Sequence, residues 1–70
     1  MNPLINLTDK KFNELTANEL LQVIQAYCDE NNYEFNYEFD YKNKKDVENY
    51  FKDNFYSLYV LEDFFNYWTI

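Results

Sequence analysis

Aromatic and polar residues alternate over the nine positions from Tyr33 to Tyr41. A period of two is typical of a β-strand, whose successive side chains point to opposite faces. The polar face of this predicted strand carries three carboxylates and one amide: Glu34, Asn36, Glu38 and Asp40. Because the backbone groups of a strand need hydrogen-bonding partners, we expect residues 4–7, residues 55–61 or a second copy of the protein to pair with it.

Helical spacing precedes this strand in two places. Thr8 is a candidate N-cap for a short helix, with Asp9 in the first turn. Leu7 is placed to pack on Phe12 as a hydrophobic staple across that turn.

A stronger helix signal begins at Thr16. Thr16 and Glu19 have the spacing of a capping box, in which each side chain bonds to the backbone N–H of the other residue. Leu15 and Leu20 are spaced as a hydrophobic staple. Apolar residues then follow at helical spacing and predict a helix over residues 17–30: Leu20, Leu21, Val23, Ile24, Tyr27 and Cys28.

The last third of the chain is also helical in pattern, with apolar residues every three or four positions over 47–68. This spacing predicts one long helix, or two helices broken near Asp53 and Asn54. Since the chain has no glycine, we expect asparagine to fill the left-handed backbone positions at the joints, at Asn31, Asn32 and Asn43.

Together these elements predict an α+β fold, a single domain over residues 1–70 with helices packed on a short antiparallel sheet that has an aromatic face. A chain of 70 residues buries only about 60% of its unfolded surface, yet 23% of this one is aromatic, which supplies enough apolar area for a core. So many rings exceed what the core can enclose, and we expect some to be exposed or to lie at a protein contact. The candidates are Tyr56, Tyr59, Tyr67 and Trp68.

The composition excludes most catalytic and metal chemistry. Without histidine there is no imidazole base or ligand, and without glycine there is no phosphate-binding P-loop or dinucleotide fingerprint. Glu34 with Glu38 or Asp40 is a carboxylate pair of the kind that hydrolyses glycosides, but so short a chain rarely encloses a substrate cleft. We therefore expect no enzymatic activity, no cofactor and no metal.

The single cysteine, Cys28, cannot form an intramolecular disulfide, and its place on the apolar side of the predicted helix indicates a core residue. The sequence shows neither a signal peptide nor a stretch long enough to cross a membrane. These features predict a cytoplasmic protein.

Charged residues are abundant, and the carboxylates and lysines are concentrated in different parts of the sequence. Six lysines oppose thirteen carboxylates, for a net charge of −7. Between Phe12 and Tyr41 there are seven carboxylates and no basic residue. Direct binding to nucleic acid or to an anionic membrane is therefore disfavoured, and a basic protein surface is the natural partner. The candidate contact residues are the polar face of the strand and the end of the preceding helix: Glu34, Asn36, Glu38, Asp40, Asp29 and Glu30. The alternative is a surface that only keeps the protein soluble or protects a sheet edge.

In size, in segregated carboxylates and in its bias towards Asn, Lys, Tyr and Phe, the chain resembles the small acidic inhibitors of phages and mobile elements, including anti-CRISPR proteins and DNA mimics. That bias, with no arginine, is typical of A+T-rich genes. A second, shorter likeness covers residues 16–28, which look like the first part of a helix from a nuclease-colicin immunity protein. The rest of the chain departs from that four-helix pattern at Tyr33 to Tyr41.

The resemblance implies a stoichiometric inhibitor of a nucleic-acid-processing host-defence enzyme, of the CRISPR-associated nuclease type. The acidic face would cover the basic groove that binds nucleic acid. The rival hypothesis is a structural or regulatory homodimer, paired through the strand at residues 33–41 across a two-fold axis.

Overall fold

The computed structural model describes residues 2–35 and 39–70. These residues contain three α-helices: α1 (Ala17–Asn31), α2 (Lys44–Asn54) and α3 (Leu58–Thr69). Two short 3₁₀ helices, Ile5–Leu7 and Phe12–Glu14, precede α1.

The predicted helix over residues 17–30 is confirmed as α1, and its first turn is a capping box. Thr16 Oγ1 accepts a hydrogen bond from the backbone N–H of Glu19 at 3.2 Å, and Glu19 Oε1 accepts one from the backbone N–H of Thr16 at 2.9 Å. At the other end Asn32 has φ 59°, in the left-handed region. The backbone N–H of Tyr33 then bonds to the carbonyl of Cys28 at 2.9 Å. Asparagine thus takes the place that glycine usually fills at a helix C-terminus.

The short helix expected from Thr8 is wrong. Thr8 follows the first 3₁₀ helix, and its Oγ1 donates to the carbonyl of Ile5 at 3.2 Å. A continuous α-helix would place Lys11 on the same face as Leu7 and Leu15, which are both buried. Two 3₁₀ turns around an extended and exposed Lys11 allow both leucines to enter the core.

The region after residue 43 follows the two-helix alternative. Asn43 caps α2, with its Oδ1 accepting from the backbone N–H of Asp46 at 3.1 Å. α2 ends at Asn54, where Phe55 leaves helical geometry at φ −131° and ψ −96°. Ser57 then precedes α3.

The predicted α+β fold is wrong, because none of the residues at 2–35 and 39–70 lies in a β-strand. The described part of the protein is all-helical. Two of the alternating rings pack on α2 instead: Phe39 stacks on Tyr50 with ring centroids 4.0 Å apart, and Phe35 contacts the same ring edge-on at 5.8 Å. The alternation indicated burial of one side of the segment, and at Phe35 and Phe39 helix α2 provides that burial.

Helices α1 and α2 run in the same direction. The hydroxyl of Tyr41 donates to Asn18 Oδ1 at 3.0 Å, so the chain that leaves the end of α1 at Tyr33 has returned to the start of α1 before α2 begins. At the far end, the Tyr33 ring lies 5.9 Å from that of Phe55, just after α2. Both helices therefore end on the same side of the molecule.

Helix α3 turns back across the other two. Its Phe64 ring meets Tyr27 of α1 edge-on at 5.4 Å, and its Phe65 ring lies 5.7 Å from Phe12. Cys28 lies fully buried in the core, as expected. The buried side chains form one hydrophobic cluster: Leu4, Leu7, Leu15, Leu20, Val23, Ile24, Ala26, Tyr27, Cys28, Val47, Phe51, Leu61 and Phe65.

The surplus of aromatic residues reaches the surface as expected at three of the four candidate positions. Tyr56, Tyr59 and Tyr67 are exposed, whereas Trp68 is half-buried against the core. No helix in the part of the chain that the structure describes has the length and apolar character needed to cross a membrane.

Candidate functional site

The structure separates the predicted contact residues into two places. Asp29 and Glu30 lie in the last turn of α1, and Glu34 follows that turn; all three are exposed. Asp40 is also exposed, but it precedes Tyr41, which bonds to the first turn of α1 at the opposite end. The remaining two candidates, Asn36 and Glu38, lie outside the described residues.

The carboxylate row expected along a strand is therefore not found, and three of the candidate carboxylates are exposed at the end of α1. Tyr33 brings this end of α1 to the end of α2, because its hydroxyl lies 3.3 Å from that of Tyr56. Asp53 is exposed in the last turn of α2, which ends on the same side of the molecule. We call this surface the acidic end and define it as Asp29, Glu30, Glu34 and Asp53.

Sequence reasoning missed Asp53. The predicted helix break near Asp53 and Asn54 correctly indicated a helix end. Its place on the same side of the molecule as the end of α1 depends on α1 and α2 being parallel, whereas the alternating sequence predicted a strand at residues 33–41 and left the partner of that strand open. The contact between Tyr33 and Phe55 brings the ends of α1 and α2 together, and no periodicity in the sequence predicts that contact.

The backbone adds to the negative field of the acidic end. The C-terminus of a helix carries roughly half a negative charge, and both α1 and α2 end here. The last turn of α1 contains no basic residue, and Lys52 is the basic residue in that of α2. α3 begins on this side, so its positive N-terminus offsets part of the field.

Lysines gather where α1 and α2 begin. Lys10 forms an ion pair with Glu19 in the first turn of α1, at 3.4 Å. Lys44, the first residue of α2, donates from Nζ to the carbonyl of Asn13 at 3.2 Å. Lys42 and Lys45 flank it along the chain and are exposed. Carboxylates lie at this end too, with Glu19 and Asp46 in the first turns of α1 and α2, so charges of both signs are mixed here, about 22 Å of helix from the acidic end.

Two tyrosines stand within the acidic end. Tyr33 is 38% exposed and Tyr56 49% exposed, and their rings lie 6.4 Å apart. The hydrogen bond to the Tyr56 hydroxyl raises the pKa of Tyr33 above its usual value. Aromatic rings beside carboxylates bind the alkyl and cationic parts of lysine and arginine side chains.

The acidic end does not border either of two cavities in the described part of the protein. Cavities of about 450 Å³ and 490 Å³ occur in the structure, and the residues of the acidic end line neither. Across residues 2–35 and 39–70, no three carboxylate or thiol side chains come together as metal ligands. Comparisons with protein-family models, with curated proteins and with solved structures found no match.

Proposed function

We propose that this protein is a cytoplasmic, stoichiometric inhibitor of a nucleic-acid-processing enzyme of the CRISPR-associated nuclease type. Its acidic end covers the basic groove in which that enzyme binds nucleic acid. The observation that carries the proposal is the set of exposed carboxylates where α1 and α2 end, with Lys52 as the basic residue in the last turn of α2, whereas carboxylates and lysines are mixed where the two helices begin.

The mechanism is competition for the same positive charges. A nucleic-acid groove is lined by lysine and arginine side chains, and neutralising them releases the counterions that drive binding. Carboxylates at the acidic end can occupy those side chains in place of phosphates, and the long-range field accelerates the encounter. The lysines where α1 and α2 begin lie about 22 Å of helix away, and Lys52 is the basic residue in the last turn of α2.

The position of two carboxylates supports a role beyond solubility. Asp29 and Glu30 lie at the negative end of the α1 dipole, where each acidic side chain costs about 0.3–1 kcal/mol. A surface that serves only solubility gains nothing from placing them there. Their cost to folding is compensated if they contact a basic partner.

The exposed rings of Tyr33 and Tyr56 support the same interface. Tyrosine is enriched among the residues that contribute most to protein binding, because it buries a large apolar area with few rotatable bonds. The rival homodimer was predicted from strand pairing at residues 33–41. Among the residues described there, namely 33–35 and 39–41, none is in a strand.

The test is capture of the target followed by charge reversal. The protein is immobilised, and nuclease-treated lysate of a low-GC bacterium is passed over it. We expect a nucleic-acid enzyme to be retained and to be released by salt and by added DNA or RNA. The purified enzyme is then titrated with the inhibitor, and activity should fall to zero at a fixed molar ratio.

Two triple variants separate the acidic end from net charge. The first carries Glu30→Lys, Glu34→Lys and Asp53→Lys. The second carries Asp9→Lys, Glu14→Lys and Asp40→Lys, which change the net charge equally at exposed positions elsewhere. The first should lose inhibition and the second should retain most of it. Equal loss in both would show that the effect depends on net charge alone, and retention by the first would exclude the acidic end.

A further inference from the structure

Two exposed tyrosine side chains meet through their hydroxyl groups. The hydroxyl of Tyr33 lies 3.3 Å from that of Tyr56, and the two ring centroids are 6.4 Å apart. In each ring the ortho carbons, which are next to the carbon that bears the hydroxyl, lie between the hydroxyl and the ring centre. The nearest ortho carbons of the two rings are therefore closer together than the ring centroids.

The fold holds both rings in this position. The Tyr33 ring packs 6.0 Å from that of Tyr27 in α1 and 5.9 Å from that of Phe55. Phe55 precedes Tyr56 in the chain, and its ring lies 5.4 Å from that of Phe51 in α2. The pair thus depends on how α1 and α2 pack, and it belongs to the folded chain.

Both phenols are open to an oxidant from solvent. Tyr33 and Tyr56 are exposed, whereas Tyr27, the other ring in contact with Tyr33, is buried. The thiol of Cys28 is fully buried, and Trp68 is half-buried against the core. A bulky oxidant can therefore reach this pair of phenols without opening the core.

Adjacent phenols couple when each gives up one electron to the oxidant and its hydroxyl proton to water. The two tyrosyl radicals form a carbon–carbon bond between ortho carbons, and the hydrogen on each of these carbons moves to the phenol oxygen as the rings regain aromaticity. The net loss is two hydrogen atoms, which reduce one molecule of hydrogen peroxide to two molecules of water. Radicals held in contact couple faster than radicals that must meet by diffusion.

We propose that Tyr33 and Tyr56 are an oxidative modification site, at which a one-electron oxidant driven by peroxide, such as a haem peroxidase, joins the two rings as dityrosine. The new bond ties the end of α1 to the end of α2 and closes the chain between residues 33 and 56. Such a closure stabilises a fold by restricting the unfolded chain. The proposal does not depend on the inhibitory function, because the reaction needs no target enzyme.

The test uses the full-length chain at low concentration, treated with a haem peroxidase and hydrogen peroxide. We expect dityrosine fluorescence in the monomer fraction and a mass lower by two hydrogens. Trypsin cuts after lysine, and the chain has lysines at positions 42, 44, 45 and 52, between the two tyrosines. Peptides 12–42 and 53–70 should therefore be recovered as one linked species, with its fragments placing the bond between Tyr33 and Tyr56.

Matched variants then locate the reaction. Tyr33→Phe and Tyr56→Phe keep each ring and remove its phenol, and each should lower the yield of the intramolecular product at least about tenfold. Tyr59 and Tyr67 are more exposed than either member of the pair. Tyr59→Phe and Tyr67→Phe should change that yield less than about twofold, because exposure alone does not supply a second phenol. Circular dichroism checks that the four variants are folded.

Three results would overturn the proposal. These are an unchanged intramolecular yield in Tyr33→Phe or Tyr56→Phe, a product found only in dimers, and a bond mapped to Tyr59 or Tyr67. The cross-linked monomer should also have a higher urea midpoint than the untreated chain, and a lower one would show that the bond does not suit the native geometry. Failure of the acidic end to inhibit an enzyme would leave all these measurements unaffected.

Discussion

The ring of Phe39 lies almost parallel to that of Tyr50, with an interplanar angle of 12° and centroids 4.0 Å apart. This stack attaches the segment between α1 and α2 to the middle of α2. It is the contact that replaces the sheet expected from the alternating sequence.

Phe39→Ala should therefore destabilise the protein by about 2 kcal/mol, less than a fully buried phenylalanine because the ring is half-buried. The free energy of unfolding in urea, followed by circular dichroism, measures this. A double-mutant cycle with Tyr50→Ala should give a coupling of about 0.5–1.5 kcal/mol. Strictly additive losses would mean that the two rings do not interact in solution.

Glycine substitutions at two adjacent positions at the end of α1 should have opposite effects on stability. Asn32 is left-handed, so Asn32→Gly should preserve or raise stability, and Asn32→Ala should cost about 1 kcal/mol. Asn31 is still helical, and Asn31→Gly should lower stability by about 1 kcal/mol. Thermal unfolding of the three variants checks this order. A loss at both glycine positions would place the helix end elsewhere.

Local signals in the sequence predicted the helices well. Thr16 with Glu19 and Asn43 with Asp46 are contacts within one turn, so the residues that form them are close in the chain. The absence of glycine also predicted the left-handed Asn32, but the same prediction was wrong for Asn31, which is helical, and for Asn43, which is extended at φ −155°.

The predicted sheet was wrong because the alternating pattern does not identify the element that packs against the segment. Alternation at residues 33–41 indicates that one side of the segment is buried. It does not indicate whether other strands or a helix cover that side. The acidic end was predicted in part for a related reason. Asp29, Glu30 and Glu34 are neighbours in the chain, whereas the end of α2, which carries Asp53, comes to the same side of the molecule through packing between Tyr33 and Phe55.

The capping box should make stability depend on pH. The hydrogen bond from the Thr16 backbone N–H, followed by the charge of Lys10, lowers the pKa of Glu19 from its ordinary value of 4.5. A lowered pKa in the folded state stabilises the fold above pH 4.5, and this contribution is lost as the pH falls through the folded-state pKa. The difference in urea midpoint between the protein and Glu19→Gln should therefore shrink below pH 4.5. A difference in urea midpoint that does not change with pH would show that ionised Glu19 does not stabilise the capping box.

The Cys28 thiol should be unreactive in the native protein. Burial, and secondly the charge of Asp29, raises its pKa, and the thiolate is the reactive form. With a thiol-reactive disulfide dye at pH 8, labelling should be at least about 100-fold slower than in denaturant, because it requires local opening. Cys28→Ala supplies the baseline. Equally fast labelling in both conditions would show that this part of α1 is open to solvent.

Glu30→Lys should raise the stability of the protein and weaken its binding to the captured enzyme. It is exposed in the last turn of α1, where a carboxylate faces the negative pole of the helix and a lysine would be favourable. Glu30→Lys should therefore raise the free energy of unfolding by about 0.3–1 kcal/mol. The same change removes a contact from the acidic end, so affinity for the captured enzyme should fall. Glu14→Lys, the matched reversal outside the acidic end, should leave affinity nearly unchanged. A Glu30→Lys protein that is more stable and binds equally well would show that the carboxylate is not kept for binding.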